Sequence, residues 1–237
     1  MKFSLPVAVV LSGCGVYDGT EITEAVGLLI ALSQAGFSYR CYAPVREQYH
    51  VVDHFKGAPA DGTRNILTES ARIARGAIQP LSAFKAAEHC ALAFPGGFGA
   101  AKNLTTFIDQ GDKAQLYADV NSAVTDAMAR KLPLLALCAA PLVLGIAARD
   151  AGLSGVRLTF GDCEGPAMNA ALATSDVPFG KVAAPLRYSR QRLSSQRGAG
   201  PGCPTDTILT HRALLRLPDG APLALVTECY TPANLRR

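Results

Sequence analysis

No two cysteines in this chain have the CxxC spacing, and the seven present (14, 41, 90, 138, 163, 203 and 229) are an odd number. That excludes the usual zinc spacings and a disulfide framework, and it suits a reducing compartment. No apolar run approaches the roughly 20 residues of a membrane span. The N-terminus also lacks the long apolar region of a signal peptide. Ser12-Gly13-Cys14-Gly15 is a poor cleavage site, and a turn and an amphipathic helix follow Val7–Leu11 in register. The expected location is therefore cytoplasmic, with no membrane contact. The net charge is only +4. Its excess lies at the C-terminal end, where Pro185 to Arg237 holds eight Arg and three acids (Asp206, Asp219, Glu228). Neither aromatic interleaving nor a binding motif accompanies it, so no nucleic-acid partner is expected. No internal repeat is present.

With 49% apolar residues over 237 positions, the chain can bury one full core. Val7–Leu11 reads as a buried parallel strand, and Ser12–Gly19 as a glycine-rich loop. Thr20 caps a helix running to about Gln34, whose buried stripe is Ile22, Val26, Leu29, Ile30 and Leu32. Further strands are expected at Phe37–Ala43, Val51–His54, Cys90–Phe94, Leu134–Leu137 and Val156–Phe160. Helices are expected at Asn65–Arg75, Ala114–Arg130 and Leu142–Arg149. This alternation predicts a doubly wound, mostly parallel sheet flanked by helices. The α/β domain is expected over 1–165, followed by a divergent basic segment over 166–237. Residues 185–204 read as loop, and Ile208–Leu217 with Leu223–Thr227 as a hairpin. In such sheets ligands bind beyond the carboxyl ends of the strands. The loops 12–19, 95–103 and 138–140 should therefore meet in one crevice.

Cys138 is the first candidate in that crevice. It interrupts the run Leu134–Leu137, is flanked two positions away by Ala136 and Ala140, and precedes a helix. That is the layout of a nucleophile elbow, where only small neighbours fit the tight strand-to-helix turn. A helix N-terminus favours a thiolate there. A buried core thiol is the competing reading. Glu24 lies one helical turn beyond Thr20 and can point into the crevice; a solvated first-turn glutamate is its competing reading. Pro95-Gly96-Gly97-Phe98-Gly99 leaves backbone N–H groups uncovered, suited to an oxyanion. Gly13-Cys14-Gly15 fails as a dinucleotide fingerprint, because Asp18 stands where a third glycine is needed. The histidines are His50, His54, His89 and His211. None follows Cys138, and none falls in a loop assigned to the crevice. That argues against a Cys–His–Glu triad.

Together, Leu11-Ser12-Gly13-Cys14-Gly15-Val16-Tyr17-Asp18-Gly19-Thr20-Glu21-Ile22 with Glu24-Ala25-Val26, Thr63–Leu67, Pro95–Leu104 and Cys138-Ala139-Ala140-Pro141 resemble the ElbB family. That family of isoprenoid-biosynthesis glyoxalases belongs to the PfpI-like, class I glutamine-amidotransferase-like superfamily. The resemblance runs from about residue 5 to 161. It implies a flavodoxin-like fold, a homodimer, no cofactor or metal, and a weak glyoxalase or deglycase activity on a small aldehyde. It also matches Cys138 to the elbow cysteine, Glu24 to the glutamate hydrogen-bonded to it, and Gly97 and Ala139 to the oxyanion donors. Such a site converts glyoxal to glycolate through a hemithioacetal, with Glu24 moving the proton; burial would have to raise its pKa. A redox-sensing or chaperone-like dimer, in which Cys138 only oxidises, is the second reading. An amidotransferase subunit is a third, disfavoured by the missing histidine. No aspartate-rich motif supports a prenyl-diphosphate site.

The resemblance stops where the basic segment starts. Arg187, Arg190, Arg192 and Arg197 stand among Ser, Gly and Pro, where the family should continue with acidic helices. A shift of coding frame after about residue 165–180 is the expected cause, and translating the gene in its other two frames tests it.

Overall fold

In the computed structural model, residues 5–153, 156, 158, 209–216 and 222–230 are described. Strand β1 (Val7–Val10) lies near the middle of a seven-stranded sheet. It is followed by α1 (Ile22–Gln34), β2 (Tyr39–Ala43), the two-stranded excursion β3 (Val51–Asp53) and β4 (Ala58–Ala60), α2 (Ile66–Ala74) and β5 (Ile78–Pro80). Then come β6 (Ala91–Phe94), the short helices α3 (Gly99–Asn103) and α4 (Phe107–Gln110), α5 (Ala118–Ala129), β7 (Leu134–Leu137) and α6 (Pro141–Asp150). The chain's last two described strands are β8 (Leu209–Arg216) and β9 (Pro222–Tyr230). The sheet order is β5-β2-β1-β6-β7-β9-β8, parallel throughout except for the antiparallel β8–β9 pair. This is the doubly wound sheet expected from the alternation of elements.

Alternation along the strands builds two cores, one on each face. Val7, Val9 and Leu11 pack with Ala93, Cys41 and the α1 residues Ala25 and Leu29. Ala8 and Val10 turn the other way, joining Leu92, Phe94, Leu134 and Ala136 beneath α5 and α6. Covering both faces is what lets these strands read as unbroken apolar runs. Burying a side chain such as Leu29 contributes about 1.5–3 kcal/mol.

Two details of α1 differ from expectation. Its N-cap is Glu21, whose carboxylate accepts the Glu24 N–H at 2.6 Å. Thr20 is unavailable as a cap, because its hydroxyl accepts the Ser12 N–H at 2.7 Å and lies 3.2 Å from the Ser12 hydroxyl. The buried stripe is also rotated. Ala25 and Leu29 face the sheet, whereas Ile22, Val26 and Ile30 are 46%, 39% and 51% exposed. This helix is apolar nearly all round, so periodicity alone leaves the inward face ambiguous by about one residue, or 100°.

The helix expected from Ala114 begins only at Ala118, since the preceding residues are extended and Leu116 bridges Thr105. Strands β4 and β5, at three residues each, carry too little periodicity to be read. The hairpin expected near the C-terminus forms as β8 and β9, and β9 then joins the main sheet beside β7. The boundary at 165/166, the loop at 185–204 and most of Val156–Phe160 lie outside the described residues. Among the described residues, no helix is long and apolar enough to cross a membrane.

Asn103, only 1% exposed, ties the upper loops together. Its amide donates to the carbonyls of Ser12 and Asp18, both at 2.8 Å, and its side-chain oxygen accepts the Tyr49 N–H at 2.9 Å. Arg46 completes the knot, donating to the Asn103 carbonyl at 2.7 Å and to both oxygens of Asp119 at 2.8 and 2.9 Å. Asn103→Ala strands buried carbonyls, so it should lower the unfolding free energy by about 2–4 kcal/mol in a urea titration. A loss under about 0.5 kcal/mol would show that water replaces the amide.

Candidate active site

Cys138 directly follows β7 with φ at +51°, in the left-handed region that side chains rarely adopt. Such a residue stores roughly 1–3 kcal/mol, which the packing around it must hold in place. Ala136 and Ala140 are fully buried on either side, and the Ala140 N–H closes the turn onto the Leu137 carbonyl at 2.8 Å. Pro141 then opens α6, where its missing N–H costs nothing. The elbow is thus present as its small flanking residues predicted.

Glu24, 6% exposed, reaches the same place from the first turn of α1. Its carboxylate accepts the Gly96 N–H at 2.9 Å, while the Gly96 carbonyl accepts the Glu21 N–H, also at 2.9 Å. A Cβ on Gly96 would overlap both the Cys138 Cβ and the Glu24 carboxylate, and would sit 3.0 Å from the Leu137 carbonyl. The thiol-bearing carbon and the carboxylate therefore face each other across a bare α-carbon. Any side chain at position 96 would push them apart.

Gly97 follows with φ at +97°, the second position in this loop where glycine is required. Among the described residues, the N–H groups of Gly97 and Ala139 donate to no acceptor. The loop is held against the 12–20 segment: Phe98 N–H donates to Val16 and Gly99 N–H to Gly19, both at 2.8 Å. Gly13 N–H in turn donates to the Ser70 hydroxyl of α2 at 2.9 Å. The three strand-end loops thus meet in one crevice.

The histidines need correction. His50 and His54 were not expected at these loops, yet the excursion between β2 and α2 folds back and places both against 12–19. His54 accepts the Tyr17 N–H at 3.2 Å, and His50 lies 3.2 Å from the Lys102 amine. Asp18 anchors the excursion by accepting the Val52 N–H at 2.8 Å. A long insertion after a strand is the only sequence signal for this, and it carries no periodicity. His89 is a core residue, 2% exposed, bonded to the Lys85 carbonyl at 2.8 Å and set 3.1 Å from the Tyr42 hydroxyl. Burial holds it below the ordinary imidazole range.

Burial pushes the Cys41 thiol up to about 11. It also raises Cys90, and raises Cys14 with help from the Glu69 charge. These three therefore resist ionisation. Among the described residues, no cluster of three His, Cys, Asp or Glu side chains can hold a metal ion.

Comparison with known proteins agrees with this architecture, although no family model matches the chain. The chain is 49% identical over 156 residues to the human glutamine amidotransferase-like class 1 domain-containing protein 3, mitochondrial, covering 65% of this chain and 56% of that protein. It is 38% identical over 142 residues to the mitochondrial ES1 protein of Danio rerio, covering 58% and 53%. The chain thus spans about half the length of the curated relatives it matches. These carry the amidotransferase-like and ES1 names rather than that of ElbB. An Ehrlichia chaffeensis crystal structure, described as an isoprenoid biosynthesis protein with an amidotransferase-like domain, superposes with a TM-score of 0.63 at 37% identity, covering 67% of this chain and 74% of that one. Sharing that sequence and that fold, the chain belongs to the class 1 glutamine amidotransferase-like family.

Proposed function

We propose that this protein is a slow, cofactor-independent glyoxalase that converts glyoxal to glycolate at Cys138. The observation that carries this reading is the elbow cysteine facing a buried carboxylate across the bare Gly96 α-carbon. The thiolate adds to one aldehyde carbon, and the resulting alkoxide takes hydrogen bonds from the Gly97 and Ala139 N–H groups. Glu24 moves a proton from the hydroxyl-bearing carbon to the neighbouring carbonyl group. The enediol collapses to a glycolyl thioester, which water cleaves to glycolate and free thiol. Atoms balance as glyoxal plus water, with no outside oxidant. The activity belongs to the lyase class of cofactor-free glyoxalases.

Two copies are expected to associate. The exposed stripe Ile22, Val26 and Ile30 supports this, because α1 carries no charged residue after Glu24. For the compartment, we retain the cytoplasm, where thiols stay reduced. Three curated relatives are named mitochondrial, and cell fractionation separates the alternatives.

Incubation with glyoxal, without glutathione and followed by NMR, should yield glycolate from the parent protein. Cys138→Ala should cut the rate by at least about 10³-fold, and Glu24→Gln by about 10²–10⁴-fold. A folded parent that makes no glycolate would sink the enzyme reading, and sulfinic acid at Cys138 under mild peroxide would then favour the redox sensor.

Gly96→Ala should reduce kcat by at least about tenfold while leaving the circular dichroism spectrum intact. Unchanged kcat would show that the spacing of thiol and carboxylate does not matter.

Val26→Lys should convert a dimer to a monomer in sedimentation velocity. A dimer that survives the charge would place the interface elsewhere.

A further inference from the structure

Lys102 lies at the end of α3, beyond the glycine-rich loop, and the glyoxalase reading gives it no part. Its amine donates to the Tyr17 carbonyl and lies 3.2 Å from the Nε2 atom of His50. Facing an ammonium, that ring nitrogen presents its lone pair, so His50 is placed to take a proton from Lys102. The amine also sits 5.3 Å from the centre of the Phe98 ring. Tyr17 and Phe98 are 42% and 41% exposed, so a small molecule can approach from solvent.

The surroundings weaken the ammonium. Burial lowers Lys102 despite the opposing pull of Asp18, and burial followed by the Lys102 charge lowers His50. Asp18 is itself buried, with one carboxylate oxygen taken by the Val52 N–H. The other ionisable neighbours are His54, 3.8 Å from Asp18, and Asp109, which accepts the hydroxyl of the Tyr49 ring packed on His50. Lys56 and Lys85 differ: both are 72% exposed, with loose ion pairs at 3.6 and 3.7 Å.

We propose that Lys102 is a second carbonyl-reactive group of this protein, which condenses with small aldehydes to a Schiff base while His50 carries the proton. His50 takes a proton from the ammonium, and the freed amine pair forms a C–N bond to the carbonyl carbon. The carbonyl π pair moves to oxygen, and one proton passes from the newly bonded nitrogen to that oxygen, giving a neutral carbinolamine. His50 returns its proton to that hydroxyl, which leaves as water as the C=N bond forms. One aldehyde enters, one water leaves, and no oxidant or reductant takes part. The proposal does not depend on Cys138.

Reductive trapping tests it. The full chain is incubated with acetaldehyde and cyanoborohydride, and early alkylation of each lysine is read by peptide mass spectrometry. Lys102 should be labelled severalfold faster than Lys56 and Lys85, equally in the parent and in Cys138→Ala. His50→Gln keeps an acceptor but no base, and should bring Lys102 down to the rate of the exposed lysines. Labelling of Lys102 no faster than Lys56 and Lys85 in the folded parent overturns the proposal. Undiminished labelling in His50→Gln overturns the part assigned to the histidine.

Discussion

The peptide of Gly96 is held from both sides by the first turn of one helix. Its carbonyl takes the Glu21 N–H, and its N–H goes to the Glu24 carboxylate. These two bonds fasten the end of β6 to the start of α1, directly beside the end of β7. They also spend the helix's early hydrogen-bonding capacity on tertiary structure rather than on solvent. Because Glu21 caps its own helix through Glu24's backbone N–H, the same three residues set where α1 begins and where the loop passes. The strained backbone at Cys138 persists only because this frame leaves the elbow nowhere to relax.

The rest of the crevice is built around that clamp by polar bonds between loops, not by apolar packing. Asn103 and Arg46 bind the 12–18 loop, the Tyr49 region and α5 into one unit. Asp18 adds the β3–β4 excursion. Loops held this way carry few side-chain methylenes, so their rigidity depends on satisfying a small number of buried carbonyls. That arrangement leaves the glycine backbone itself as the lining of the site.

Most of the sheet was legible because its strands are buried on both faces and its helices are separated by glycine and proline. The elbow was legible for a different reason: Ala136, Cys138, Ala140 and Pro141 meet a steric demand that few sequences satisfy. The facing side of α1 was not legible, since Ile22, Val26 and Ile30 are as apolar as Ala25 and Leu29. Nor was the placing of His50 and His54, which depends on long-range bonds such as those from the Val52 N–H to Asp18 and from the Tyr49 N–H to Asn103 rather than on any local pattern. The cap was misread because Thr20 is chemically suited to that role but is engaged by Ser12.

The place of β9 in the sheet bears on how the chain reaches its fold during synthesis. β7 pairs on one side with β6, which precedes it closely, but on the other side with β9, which is made long afterwards. Until then, the strand that ends at the elbow is an open edge with unpaired amides and carbonyls. A nascent chain in that state offers an apolar strand to any neighbour able to add a strand. The edge of β7 therefore stays open to such partners until the C-terminal hairpin has been made and β9 has docked beside it.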